Sequence, residues 1–222
     1  MQTYRVTLEG VTPLLQHHDN IEWADQMEEW RSQPENKDKS RPGDDRTPAF
    51  QWLGTLYHDG EWICLPTDNL KSVLKDAGAM LGTGKGTKTF KEQTQSGTLF
   101  PDEFWPLEVG GKRVPVQPFF DRKETRTFAE YRKLAAAYAF GLHVKRAVIN
   151  GKSKHVRVRP QFHEWKASGL MHVIDDQLTE PVLRTILTAA GRRKGLCDWR
   201  PGGKTPGSYG TFKADIELVI ET

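Results

Sequence analysis

Residues 142–162 read LHVKRAVINGKSKHVRVRPQF, two runs of alternating apolar and polar residues on either side of Asn150-Gly151. Asn-Gly accepts the positive φ angles that a two-residue hairpin turn demands, so the stretch is expected to fold as two antiparallel strands. Lys145, Arg146, Lys152, Lys154, Arg157 and Arg159 make six bases over 143–159, with no acid among them. Side chains of a strand alternate by two, so Arg157 and Arg159 share one face and Lys154 lies off it. Bases also protect exposed strand edges, but six of them without an acid form a surface on which the charges track successive phosphates.

Toward the N-terminus, Tyr4, Val6 and Leu8 alternate with Thr3, Arg5, Thr7 and Glu9, the period of a half-buried strand that stops at Gly10. Ile21, Trp23, Ala24, Met27 and Trp30 recur at three- and four-residue spacing and predict a helix. The stretch after it, SQPENKDKSRPGDD, is too polar to fold alone and reads as a mobile loop. Thr47-Pro48 reads as the start of a second helix through Trp52 and Leu56 to Tyr57. A strand over 62–65 leads into a third helix with Leu70, Val73, Leu74 and Ala77 on one stripe, ending in the flexible basic loop 82–92. A strand Arg113–Val116 and a helix Phe128–Phe140 precede the hairpin. A strand Leu170–Ile174, a helix Pro181–Ala190, a Gly-rich loop 201–210 and a strand Thr211–Ile220 follow it. This order predicts an α+β fold, a ferredoxin-like (RRM-like) antiparallel sheet with helices on one face, helical insertions and a flexible basic loop. Residues 1–222 read as a single domain in which 19–60 is a helical, acidic insertion.

The net charge of +3 and pI near 8.8 neither demand nor exclude a polyanion. Distribution says more: residues 19–45 hold nine acids against four bases. Cys64 and Cys197 stand without a CxxC partner, as reduced structural thiols do, which suits the cytoplasm. No apolar run approaches the roughly 20 residues of a membrane span, and the opening MQTYRVTLEGVTP reads as a strand. No membrane partner is expected.

Other constellations are weaker. Leu65-Pro66-Thr67-Asp68-Asn69-Leu70-Lys71 opens a helix whose free N–H groups attract anions, with Asn69 and Lys71 as candidate contacts; an ordinary helix cap is the alternative. Arg192 and Arg193, Trp199, Gly203 and Lys204 combine cations, a ring able to stack on a base and a glycine that lets backbone approach a phosphate; a helix C-terminus whose cations complement its dipole, followed by a packed Trp, is the alternative. Lys85 and Lys88 sit in a Gly/Thr loop that lacks the GxxxxGK[ST] spacing and follows a helix, so nucleotide binding is not expected and a basic flap over RNA is. His17-His18-Asp19, with Glu22 and Asp25, is the one cluster that suggests catalysis, but ligand spacing such as HExxH is missing and no metal or cofactor is implied.

Three segments resemble the RAMP superfamily of CRISPR-associated RNA-binding proteins, in particular its guide-RNA backbone subunits. Val6 to Leu15 looks like the family's opening strand and its "TPL" bend. Ile63 to Lys75 is similar to its "IPGSSLKGALR" element, and Gly202 to Phe212 to its Gly-rich loop before the last strand. The resemblance implies sequence-independent binding of single-stranded guide RNA by repeating copies of the chain, alongside other ribonucleoprotein subunits, in antiviral defence. Some backbone subunits cut RNA with an acid in the loop after the first strand, where Asp19 and Asp25 lie, so a metal-dependent endoribonuclease is the enzyme alternative. A protein-binding module of a phage or mobile element, docking through the acidic arm, is the alternative without RNA.

Overall fold

The computed structural model describes residues 1–149 and 153–219. The Asn150-Gly151 turn, Lys152 and Ile220 lie outside the described residues. In chain order the strands are β1 (Gln2–Gly10), β2 (Leu14–Leu15), β3 (Cys64–Pro66), β4 (Thr98–Leu99), β5 (Phe104–Val109), β6 (Lys112–Arg113), β7 (Gly141–Ile149), β8 (Ser153–Phe162), β9 (Trp165–Val173) and β10 (Phe212–Leu218). The helices are α1 (Ile21–Ser32), α2 (Thr67–Gly78), α3 (Lys91–Ser96), α4 (Gln117–Phe120), α5 (Phe128–Ala137) and α6 (Glu180–Ala189). The fold is mixed α+β with an open, antiparallel main sheet ordered β10-β1-β9-β5-β3; β4 pairs with β9, and β6 with β5.

The alternation in β1 places Tyr4, Val6 and Leu8 in the core and leaves Arg5, Thr7 and Glu9 exposed. Leu70, Val73, Leu74 and Ala77 of α2 join Leu183, Ile186 and Leu187 of α6 in that core, with Leu107, Met171 and Ile216 from the sheet. Burying each Leu, Ile or Val contributes roughly 1.5–3 kcal/mol relative to exposure. Glycine is needed where strand and bend meet: a Cβ on Gly10 would fall 2.2 Å from Trp165 Nε1, and that N–H donates to Thr12 O at 3.0 Å.

A second sheet, β2-β8-β7, carries the expected hairpin, with β7 and β8 paired antiparallel from Gly141↔Gln161 to Ile149↔Ser153. The edge of β8 away from β7 holds β2 at one end and, further along, part of the acidic arm, where Asp44 bridges Val156 in parallel. Val156 N donates to Gly43 O at 2.7 Å, and Asp45 N to Val156 O at 2.9 Å. The arm is therefore docked on the hairpin rather than free as its polarity suggested. Asn36, also buried, ties it inward by donating to Trp30 O and Gln33 Oε1.

Other expectations change too. The helix read over 48–57 is one 3-10 turn, Gln51–Thr55, in which Trp52, Leu53 and Gly54 are all buried, so there is no single apolar stripe. At Gly54 the indole of Trp23 takes the space a Cβ would need, 1.9 Å away. The helix before the hairpin stops at Ala137 rather than Phe140, because Ala139 takes a positive φ of 61°. The basic loop is pinned at its base by a bridge between Gly82 and Thr89, and Lys91 already opens α3. Among the described residues no helix is long and apolar enough to cross a membrane.

Candidate nucleic-acid interface

The hairpin register sets His143 opposite Arg159, Lys145 opposite Arg157 and Ala147 opposite His155. Alternation by two puts these six on one face, while Val144, Arg146, Val148 and Lys154 belong to the other. Directly opposed residues lie about 4.5–5.5 Å apart at Cα, so Lys145 and Arg157 would repel each other without compensation.

Compensation comes from the arm. Asp45, 5% exposed, accepts Arg157 Nη1 at 3.1 Å on Oδ1 and Val158 N at 3.1 Å on Oδ2, which also lies 3.6 Å from Arg159 Nη1. Asp198 Oδ2 accepts Arg159 Nε at 3.1 Å, and Arg159 Nη1 donates to Val158 O. Arg159 is itself 5% exposed. The open phosphate track expected of Arg157 with Arg159 is thus corrected: Arg159 is an internal anchor shared by two carboxylates, and Arg157 alone of the pair reaches the surface, at one-third exposure. An arginine buried in water-poor surroundings needs such partners, since an unpaired charge there is costly.

Lys145 turns to the Gly-rich side, its Nζ 4.3 Å from the centroid of Trp199. His143 meets the same indole edge-on, with ring centroids 5.6 Å apart, and Tyr209 lies 5.7 Å from His143 and 6.3 Å from Trp199. Burial, with Lys145 and Arg159 nearby, pushes the His143 pKa below the ordinary imidazole value, so the ring is neutral at pH 7. The result is an aromatic patch with an exposed ammonium on it.

The Gly-rich loop wraps the backbone of Trp199 and Arg200. Gly203 N and Gly207 N both donate to Arg200 O, and Tyr209 N to Trp199 O. A Cβ on Gly207 would fall 2.0 Å from Trp199 O, whereas on Gly203 its nearest contact is 3.2 Å, to Arg200 O. Gly207 is therefore required by packing. Lys204 is exposed beside it.

The bend after β1, the start of α2 and the Gly-rich loop come together. Gln16, wholly buried, donates to Cys64 O at 2.8 Å and accepts Tyr57 N at 3.1 Å; Gly210 N donates to Pro13 O, and Asp198 N to Leu15 O. His17 Nδ1 lies 3.7 Å from Asp198 Oδ2, and burial together with Arg159 lowers its pKa. The Tyr57 hydroxyl, beside Asn69, donates to His17 O; burial and the neighbouring Cys197 push its pKa up to about 12. Burial does the same to the Cys64 and Cys197 thiols, both at about 12, so neither is a thiolate nucleophile at neutral pH.

The remaining candidates scatter. Lys71 is half-buried on α2, where Thr67 N already donates to Glu103 O. Arg192 and Arg193 lie on a π-turn after α6 and line a cavity of about 430 Å³ with Met80 and Leu81, near the base of the loop that exposes Lys85 and Lys88. Asp19 and Asp25 are exposed, and among the described residues no three His, Cys, Asp or Glu side chains gather to hold a metal.

No protein-family model matches the chain, and no curated protein does. Sequence reasoning named Lys145, Arg157 and Trp199, which the fold brings near one another, but not His143, Tyr209, Asp45 or Asp198. The two-residue spacing of His143 from Lys145 was a legible signal. Asp45 offered none, because a carboxylate in a polar run reads as solvated until a strand 112 residues away is laid beside it.

Proposed function

We propose that this chain binds single-stranded RNA without sequence preference, chiefly through phosphates, as a repeating subunit of a CRISPR-like ribonucleoprotein of the RAMP kind. The observation that carries the reading is Lys145 over Trp199 at 4.3 Å, with Arg157 directly across the hairpin and His143 and Tyr209 alongside. A cation beside aromatic faces suits a strand that is held by its backbone and stacked by its bases. The exposed face of the main sheet suits it less, since Arg5, Lys166 and Lys213 there alternate with Glu9, Asp215 and Glu217.

Two further features support the family reading. With α2 between β1 and β5, and α6 between β9 and β10, the strand order β10-β1-β9-β5 follows the split βαβ plan, and we read the domain as ferredoxin-like on that ground. Of the three segments that resemble the family, the third bonds the first through Gly210 N and Pro13 O, and Gln16, next after the first, bonds Cys64 of the second. The partners in this reading are guide RNA, further copies of the chain and other ribonucleoprotein subunits. It needs no cofactor, and its setting is the cytoplasm, where Cys64 and Cys197 stay reduced.

Fluorescence anisotropy with a labelled single-stranded RNA, repeated over a salt series, tests this. Lys145→Gln is expected to flatten the slope of log affinity against log salt by about 0.7, the value for one phosphate on a single strand. Trp199→Leu should cost about 1–3 kcal/mol of affinity through lost stacking. No binding at low salt, or equal binding of duplex and single strand, overturns the reading.

A further inference from the structure

Between the arm and the hairpin lies a cavity of about 510 Å³, lined among others by Arg31, Lys37, Ser40, Asp45, His155 and Arg157. We propose that it is a phosphate-binding pocket that takes a terminal phosphate monoester. Its side chains come from four separate segments: the last turn of α1, the docked arm, the turn Gln51–Thr55 and β8.

The cations here are short of counter-charge. Arg31 Nε donates to Ser40 Oγ at 3.2 Å and its Nη2 to Gln51 Oε1 at 2.9 Å, both neutral acceptors. Neither Arg31 nor Lys37 has a carboxylate within 4.0 Å among the described residues. Arg157 shares Asp45 with Arg159, and Arg159 shares Asp198. The lining therefore sets Arg31, Lys37 and Arg157 against one carboxylate, Asp45, which Arg159 also shares, an excess of two positive charges. A phosphate monoester carries about −1.5 to −2 at pH 7, its second pKa being about 6, so it matches that excess where a diester, with one charge, does not.

Geometry favours a small, dense anion. Gly43, at φ +77°, lets the arm close over the imidazole of His155, which a Cβ there would approach to 3.2 Å. Arginine forks match phosphate oxygens, whereas the Ser40 hydroxyl already donates to Thr47 O at 3.4 Å. The volume leaves room for the sugar that bears the phosphate. Because His155 and Arg157 share the hairpin face of Lys145, a nucleic-acid end seated here would run toward Trp199. That continuity rests on the RNA reading, whereas the phosphate pocket itself does not.

Inorganic phosphate, titrated by calorimetry against chloride of equal ionic strength, is the first probe. Saturable binding is expected, weakened at least five-fold by Lys37→Gln, whose exposed side chain leaves the fold intact, and more by Arg31→Gln. RNA oligonucleotides ending in 5′-phosphate, 3′-phosphate or hydroxyl then separate the sources. A tenfold preference for one phosphorylated end supports a nucleic-acid terminus. Phosphate binding without any end preference supports the pocket but assigns it to a free phosphorylated compound. If RNA fails to bind while phosphate does, the RNA reading falls and the pocket stands. No binding beyond the chloride control, or identical affinity in Lys37→Gln, overturns the proposal.

Discussion

Replacing Asp45 by alanine removes the carboxylate through which the acidic arm grips the hairpin. Arg159, 5% exposed, then keeps only Asp198, at 3.1 Å, and Arg157 loses its one ion partner. Breaking a buried pair by deleting one member costs about 3–5 kcal/mol; the surviving Asp198 contact places Asp45→Ala near the lower end. Val158 N, buried and bonded to Asp45 Oδ2 at 3.1 Å, loses its acceptor as well, which adds about 1 kcal/mol. The expected loss is therefore about 3–4 kcal/mol, or roughly 6–16 °C in melting temperature for a chain of this size. Urea denaturation followed by tryptophan fluorescence and circular dichroism measures it. Asp45→Ala with Arg159→Met should recover part of the loss, since both buried charges then go together while Val158 N stays without its acceptor. Asp19→Ala and Asp25→Ala, on exposed sites, should stay within about 0.5 kcal/mol of the parent. An Asp45→Ala variant as stable as those two would refute the docked arm.

The other expectations follow from the same geometry. Arg157→Ala should lower RNA affinity and its salt dependence, while Arg159→Ala should lower stability and leave the salt slope of the folded protein unchanged; matching slope changes in both would contradict the division between surface and anchor. Gly207→Val should cost more than about 1 kcal/mol of stability, because its Cβ meets Trp199 O, with little effect on the affinity of the folded fraction. Lys204→Ala should do the reverse, and a melting shift for Lys204→Ala without an affinity loss would make the loop structural throughout. Stability should also fall below pH 6.5: burial holds His17, His58 and His143 under that ordinary value, so the unfolded chain takes up protons that the native rings refuse. This contribution is complete above about 6.5 and is lost as the pH drops toward the native values, before Asp44 and Asp59, held below 3.8, begin to protonate. Denaturation midpoints that do not change between about pH 7.5 and 5 would count against it.

Local periodicity was enough to reveal much of the framework. β1, α1, α2, α6 and the paired runs of β7 and β8 follow from two- and 3.6-residue spacing, because one buried face imposes that spacing on any strand or helix that borders a core. Where burial comes from several sides the signal fails, as at Gln51–Thr55, and in β5 Pro106 interrupts an otherwise alternating FWPLEV. The cationic residues near the interface were also legible, since charge density and aromatic neighbours are local properties of the chain.

What the linear order did not contain was which charges would meet. Nine acids in one segment and six bases in another carried no sign of which would pair; in the fold Asp44 and Asp45 lie along β8 of the same chain, and Asp45 holds the buried Arg159 and the partly exposed Arg157. In the same fold Arg159 leaves the surface, Arg31 and Lys37 have no carboxylate within 4.0 Å among the described residues, and Lys145 lies over Trp199. Sequence by itself determined most of the longer strands and helices and the positions of the charges. Tertiary structure alone decided which charges were neutralised and which remained free to bind, because Coulomb attraction acts through space between segments more than 100 residues apart, and no local pattern records that distance.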